Sequence, residues 1–175
     1  MNPLIVTVIL LVGLIPVQGS RDRQERKGTA PRLAQEDDIR EAVFRYEFRH
    51  NSSIQGQRAG VYCLSIGEKN TDPPDDFIKR FVGFKPPVRK ASDCSTDPYS
   101  GVVEKKTGKQ GLVFRVRSIK WLSDTEVQVI GGYFENGLSA SGDTYTLIRT
   151  PEKWRVSKAR TNWISYAGDH ATRFA

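Results

Sequence analysis

Residues 131–149 read GGYFENGLSASGDTYTLIR, a stretch that combines aromatic and aliphatic side chains with four glycines. Its dipeptide Asn136-Gly137 is typical of a type I′ turn, so the stretch predicts a β-hairpin. A two-residue loop at this turn brings the small residues of the two strands together and places Gly131 opposite Gly142. Because a belt of residues without large side chains resists bending only weakly, we expect the hairpin to curl. The stretch therefore predicts a strongly curved sheet.

The hairpin continues into further long strands. The apolar alternation of GLVFRVRSIKWL (111–122) changes face at residues 117–118, which indicates a β-bulge. In the hairpin itself, one extra residue at 142–143 brings Val129 opposite Tyr145 and makes one face apolar throughout. The C-terminal half of the chain is thus predicted to be an antiparallel meander.

Residues 36–51, EDDIREAVFRYEFRHN, show the clearest helical pattern of the sequence. One apolar stripe runs from Ile39 to Tyr46 at a spacing of about 3.6 residues, and Phe44 and Phe48 form a second stripe on nearly the opposite side. A helix with two apolar sides is covered on both. We expect one stripe to pack against the sheet and the other to lie beneath a loop or a short helix.

The segment between the helix and the meander holds both cysteines. VYCLSI (61–66) reads as a strand, and TDPPDDFIKRFVGF (71–84) as a short helix, whereas residues 88–100 look loop-like with a short strand at 88–92. In an exported protein, the pair of Cys63 and Cys94 most simply forms one disulfide. Two buried free thiols are the alternative.

The N-terminal segment predicts export. Residues 1–19 carry no charged side chain and contain an apolar run of signal-peptide length, followed by small residues at a plausible cleavage point. The alternative is an uncleaved membrane anchor. We expect cleavage, a secreted or periplasmic location, and no stable membrane span in the mature protein.

The rest of the chain divides by composition. Residues 20–35 are basic and nearly free of large apolar side chains, so we expect a flexible basic leader. Residues 36–165 have the length of a single domain, and residues 166–175 form a C-terminal tail. The leader carries +3 of the net charge of +7, so the domain is only mildly basic. Nucleic-acid binding needs a clustered basic patch, and none is expected here.

The order of these elements resembles the nuclear transport factor two-like superfamily, which includes the cystatin-like cone folds and the ketosteroid-isomerase-like domains. The likeness rests on FRYEF (44–48), on Trp121 before a turn, on YFENGLSASGDTYTLIR (133–149) and on Trp154 after the next turn. It implies an α+β fold in which an N-terminal helix packs on a strongly curved, cone-shaped antiparallel sheet, with one short second helix. It also implies a small apolar ligand or a partner's side chain in the cone, and a homodimer through the open sheet face.

Aromatic side chains are the candidate ligand-binding residues. Tyr46, Tyr133 and Tyr145 fall on stripes predicted to face the cone. With two tryptophans they complete a candidate pocket of Tyr46, Trp121, Tyr133, Tyr145 and Trp163. No acidic residue falls on a clearly inward stripe, so we predict no catalytic residue. No carboxylate cluster with ligand spacing surrounds His50 or His170, so we predict no metal site and no cofactor.

Three functions remain open. We favour an exported, non-catalytic binding or interaction domain, because no acid–base set is assembled. A buried carboxyl group inside the cone would count against it. The first alternative is a small-molecule isomerase or dehydratase, which needs such a carboxyl group, a tyrosine partner and a cavity. The second is an immunity or inhibitor protein against a secreted toxin, with a filled cone and a functional outer surface.

Overall fold

The computed structural model describes residues 19–51, 53, 56 and 58–165. The chain divides into two units, Met1–Ala34 and Gln35–Ala175, and the packing discussed below is that of the second unit. Apart from Gly19, the predicted signal peptide lies outside the described residues, as does the predicted tail from 166 to 175.

Two α-helices are present. Helix α1, Gly19–His50, begins well before the predicted start near residue 36, so the backbone of the predicted leader (20–35) is helical. The flexibility of that leader stays a prediction. Helix α2, Asp75–Lys79, occupies the middle of the predicted 71–84 segment and follows Pro74.

Eight strands form one open sheet, which confirms the α+β class. Along the sheet the order is β2-β1-β5-β6-β7-β8, with β4 also paired to β5 and β3 to β4. The sheet is mixed, because β1 runs parallel to both β2 and β5, whereas β5 to β8 form the predicted antiparallel meander. The strands are β1 Val61–Ile66, β2 Val88–Lys90, β3 Cys94–Asp97, β4 Gly101–Glu104, β5 Gln110–Trp121, β6 Glu126–Asn136, β7 Ser139–Arg149 and β8 Trp154–Ile164. Strand β3 lies in the segment predicted to be a loop.

The β6–β7 hairpin pairs Val129 with Tyr145, as predicted. The extra residue, however, is Glu135, beside the turn, and not at 142–143. As a result Asp143, rather than Gly142, lies opposite Gly131. The bulge predicted at 117–118 is present, as a register shift between β5 and β6. The predicted pairing is thus correct from Val129 and Tyr145 to the far ends of the two strands, and wrong between this pair and the turn. The turn also differs from the prediction: Asn136 pairs with Ser139, so the loop is Gly137-Leu138, and neither loop residue has the positive φ of a type I′ turn.

The inner face of the sheet, which we define as the face that packs against α1, holds the main core. Both predicted stripes of the helix enter this core, with Ile39 and Val43 on one side and Phe44 and Phe48 on the other. The ring of Phe44 lies 6.0 Å from that of Phe77 in α2, so the second stripe is covered by the short helix as expected.

The opposite, outer face of the sheet carries a second, smaller core. It includes Val113 and Phe134, which alternate along their strands with the residues of the main core. The predicted disulfide between Cys63 and Cys94 is present and ties β3 onto this face. It closes a sequence separation of 31 residues, so it restrains the least regular part of the domain.

Candidate functional site

The structure brings only some of the predicted pocket residues together. The rings of Tyr46 and Tyr145 touch, with centroids 5.8 Å apart, and Tyr133 packs against the same core. Trp121 packs against this core as well, next to Trp154 at 5.6 Å. Trp163, on strand β8, has 46% of its surface exposed. Ligand binding by these five residues stays a prediction.

A buried carboxyl group, Glu47, lies on the inner face. It is only 5% exposed, and the Tyr145 hydroxyl donates a 2.9 Å hydrogen bond to its Oε1. Its Oε2 is also buried and has no hydrogen-bond partner. Burial raises the pKa of Glu47 well above its usual value, an effect that the hydrogen bond from Tyr145 opposes and the charge of Asp143 adds to. Glu47 therefore holds its proton well above the usual pH range of a glutamate.

A second carboxylate belongs to the same group. Asp143 is buried beside Tyr145, and the hydroxyl of Ser141 donates a hydrogen bond to its Oδ2. Burial, together with the charges of Glu47 and Asp143, raises the pKa of Tyr145 far above that of an ordinary tyrosine. The prediction that no acidic residue faces inward is thus wrong. We call Glu47, Ser141, Asp143 and Tyr145 the inner carboxyl cluster.

The inner carboxyl cluster combines a carboxyl group with a raised pKa, a second carboxylate and a phenol. Side chains of these kinds exchange protons with substrates in acid–base catalysis. All four side chains are buried, however, and neither of the two cavities described below is lined by any of them. In this arrangement the cluster joins helix α1 to strand β7 through one buried hydrogen bond.

The outer face of the sheet carries a cavity of about 460 Å³, which we call the outer-face cavity. Ser65 of β1 and Arg115 of β5 form its floor as directly paired residues of two parallel strands. Loop residues before α2 and the segment that leads into β3 form its walls. The full lining is Ser65, Asn70, Thr71, Asp72, Ala91, Ser92, Cys94, Thr96, Val113 and Arg115.

Two polar groups in the floor of this cavity are buried without partners. Ser65 is only 1% exposed, and its Oγ has no hydrogen-bond partner; the Nε of Arg115 is buried and has none either. The guanidinium lies 5.9 Å from the ring centre of Phe134. Burial, and then the charge of Arg117, lower the pKa of Arg115. An unsatisfied buried group of this kind costs about 1–3 kcal/mol of folding free energy.

A second cavity, of about 370 Å³, differs in its electrostatics. Its buried carboxylate, Glu104, accepts hydrogen bonds from Thr107 and from Arg89, the latter at 2.9 Å. The hydrogen bond from Thr107, followed by that from Arg89, lowers the pKa of Glu104. Since its buried charge is already compensated within the protein, this cavity offers no comparable binding group.

Within the residues that the structure describes, no group of three or more histidine, cysteine, aspartate or glutamate side chains could hold a metal ion. No helix in the same part of the chain is long and apolar enough to cross a membrane. Comparisons with models of protein families, with curated proteins and with solved structures find no match to this chain.

Proposed function

We propose that this chain is an exported, non-catalytic binding domain that holds a small polar ligand in the outer-face cavity. The observation that carries the proposal is the cavity itself, with the unpartnered Ser65 and Arg115 in its floor. Small-molecule sites typically enclose about 300–1,000 Å³ and present a few directed polar groups. The outer-face cavity has that size and two such groups.

The proposal moves the ligand away from the place expected from the resemblance. Between helix and sheet, the ring of Phe48 lies 4.7 Å from that of Tyr62 and 5.1 Å from that of Phe114. Aromatic rings at these distances are in direct contact. The inner face is therefore filled by the protein's own side chains, which favours a ligand on the outer face over an apolar ligand in the cone.

Export and family membership are part of the same proposal. The disulfide supports export, because such bonds persist mainly in oxidising compartments. A helix packed on one face of an open sheet supports a place in the nuclear transport factor two-like superfamily. A homodimer through the sheet remains a proposal from that resemblance.

Acid–base chemistry at the inner carboxyl cluster is the second candidate function. The observation that favours it is Glu47, a buried carboxyl group of raised pKa with a tyrosine partner, which is what the isomerase alternative requires. The missing element is a cavity beside it. A ligand that enters this space would perturb the backbone amide signals of Gly132 and Tyr145, which adjoin the carboxyl group.

The test is a screen of small polar molecules against the ¹⁵N-labelled full chain, followed by amide chemical shifts. We expect hits that shift the amides of Ser65, Thr71 and Arg115. Thr96→Trp, an exposed position in the cavity wall, should abolish these shifts by filling the cavity. Ser95→Trp is the matched control, because Ser95 is an exposed neighbour on the same strand that does not line the cavity.

Two results would contradict the proposal. One is a set of hits that shift only the amides around Glu47, which would favour the catalytic candidate. The other is a set of cavity hits that the Thr96 and Ser95 variants weaken equally, since binding would then not depend on access to the cavity.

A further inference from the structure

We infer that the outer-face cavity takes a small monocarboxylate, whose carboxylate group is bound jointly by Arg115 and Ser65. This inference rests on the proposed function, because it names the ligand class of the same cavity. The inference goes beyond the proposed function because it names the two side chains that bind the ligand and gives the ligand a single negative charge.

Arg115 is the anion-binding group. A guanidinium matches the two oxygens of a carboxylate through parallel N–H bonds. Arg89, on the same side of the domain, has a counter-ion in the buried Glu104 at 2.9 Å. Arg115, in contrast, is half-buried with a buried, unpartnered Nε, and among the described residues no carboxylate forms an ion pair with it. The pKa of Arg115 is consistent with this missing ion pair, because it is lowered by burial and by the like charge of Arg117, and no acidic group raises it. A bound carboxylate would supply the missing counter-charge.

Ser65 provides a further donor at the correct place. It is paired directly with Arg115 across two neighbouring strands, which lie about 4.8 Å apart. Both side chains leave the sheet on the outer face and line the same cavity. One small ligand can therefore contact the Ser65 hydroxyl and the Arg115 guanidinium together. Both groups stand on β-strands in the middle of the sheet, so their positions are fixed before the ligand arrives.

Asp72 limits the charge of the ligand. It lines the same cavity, and its Oδ1 accepts a 2.9 Å hydrogen bond from the amide of Ser92. Arg115 and Asp72 are the only charged residues of the lining, so its formal charge is zero. A dianion such as phosphate would be repelled by Asp72 more strongly than a monoanion. The lining therefore favours a monocarboxylate. The side-chain amide of Asn70 is available to polar substituents, and the Thr71 hydroxyl, which donates to the carbonyl oxygen of Ile66 at 3.0 Å, can still accept a hydrogen bond.

The experiment uses lactate, its neutral isostere lactamide and inorganic phosphate as probes of the full chain at constant ionic strength. Amide shifts of Ser65 and Arg115 report binding. We expect saturable binding of lactate, at least tenfold weaker binding of lactamide and of phosphate, and at least a tenfold loss of lactate affinity in Arg115→Gln. Arg115→Lys keeps the charge without the planar fork and should lose about threefold.

Arg117→Gln is the matched control. It removes the same charge two residues further along β5, from a side chain that is outside the cavity and ion-paired to Glu68 at 3.4 Å. We expect its lactate affinity to stay within twofold of the unaltered protein. The amide spectrum of each variant checks that it is folded, and Arg115→Lys gives the answer should Arg115→Gln unfold.

Several results would overturn the inference. Equal losses of lactate affinity in the Arg115→Gln and Arg117→Gln variants would show that the protein's net charge, and not a contact with Arg115, determines binding. Tighter binding of phosphate would exclude a monocarboxylate site. Equal binding of lactamide would show that charge is not recognised, but would leave the proposed binding function intact. If the cavity binds neither these probes nor any member of the broader screen, both the monocarboxylate inference and the proposed binding function are refuted.

Discussion

Replacing Glu47 with glutamine should stabilise the domain at neutral pH and leave its stability unchanged in acid. The carboxyl group is buried and hydrogen-bonded by Tyr145, and its pKa is raised by that burial. Glutamine keeps the acceptor oxygen and the size of a protonated glutamate but cannot ionise. The substitution therefore removes the titration and little else.

The sign and size follow from proton linkage. In the unfolded chain Glu47 ionises at about pH 4.3, whereas in the folded protein it keeps its proton to higher pH. Below about pH 4.3 the carboxyl group is protonated in the folded and in the unfolded protein, so the natural protein and the glutamine variant should have nearly the same stability. Above it, the unfolded state of the natural protein gains stability by ionising. For one proton the free energy of unfolding falls by about 1.4 kcal/mol per pH unit, until the folded carboxyl group ionises as well.

The assay is urea unfolding of the natural protein and the Glu47→Gln variant at several pH values from 4 to 8. We expect the difference between the two free energies of unfolding to be close to zero at pH 4 and to rise in favour of the variant. Asp143 and Tyr145, which face Glu47, are present in both proteins. Glu41→Gln is the control on the same helix: Glu41 is partly exposed and pairs with Arg45 at 2.7 Å and with Arg80 at 2.9 Å, so its loss should lower stability, by up to about 2 kcal/mol, rather than raise it. A difference for Glu47 that is independent of pH would refute the assignment of a protonated buried carboxyl group.

Three further predictions concern stability, each measured as a free energy of unfolding. Replacing both Cys63 and Cys94 with alanine should lower it by about 3–4 kcal/mol, since the disulfide spans a separation of 31 residues; an unchanged value would mean that the bridge is not formed. Ser65→Ala removes an unpartnered buried hydroxyl and should raise stability by up to about 1 kcal/mol while weakening lactate binding; a loss of stability would indicate that the hydroxyl has a structural partner. Gly131→Ala should lower stability by about 1–3 kcal/mol, because a Cβ there would lie 2.5 Å from the carbonyl oxygen of Arg115; tolerance of alanine would contradict the pairing of β5 with β6.

The position of Glu47 could have been found from the sequence. At about 100° per residue, Glu47 lies roughly 40° from Val43 and roughly 60° from Phe44 around the helix. It therefore falls between the two apolar stripes. The prediction that places the two stripes on nearly opposite sides of the helix misses that Glu47 faces inward. In the structure both stripes enter one core and define a single wide buried face.

The position of Asp143 could not be derived in the same way. The apolar pairing of Val129 with Tyr145 constrains the total number of extra residues but not their place. Between this pair and the turn, one strand of the hairpin offers only small or polar residues, so the sequence gives no apolar alternation that fixes which of them face inward. Moving the extra residue from 142–143 to Glu135 turns Asp143 towards the helix.

The outer-face cavity could not be predicted from the sequence either. Both of its strands were predicted, and Ser65 shares the alternation of Cys63 in β1. The parallel pairing of β1 with β5, which brings Ser65 next to Arg115, joins segments that are about fifty residues apart. Local patterns determine strands and turns, but the choice of a distant partner strand depends on the packing of the whole domain.

The central claim is that the ligand binds on the outer face of the sheet. The most direct measurement is a crystal structure of the full chain soaked with lactate. We predict difference density for the carboxylate within hydrogen-bond distance of Arg115 and Ser65. Density beside Glu47 and Tyr145, with the outer-face cavity holding only solvent, would contradict the account.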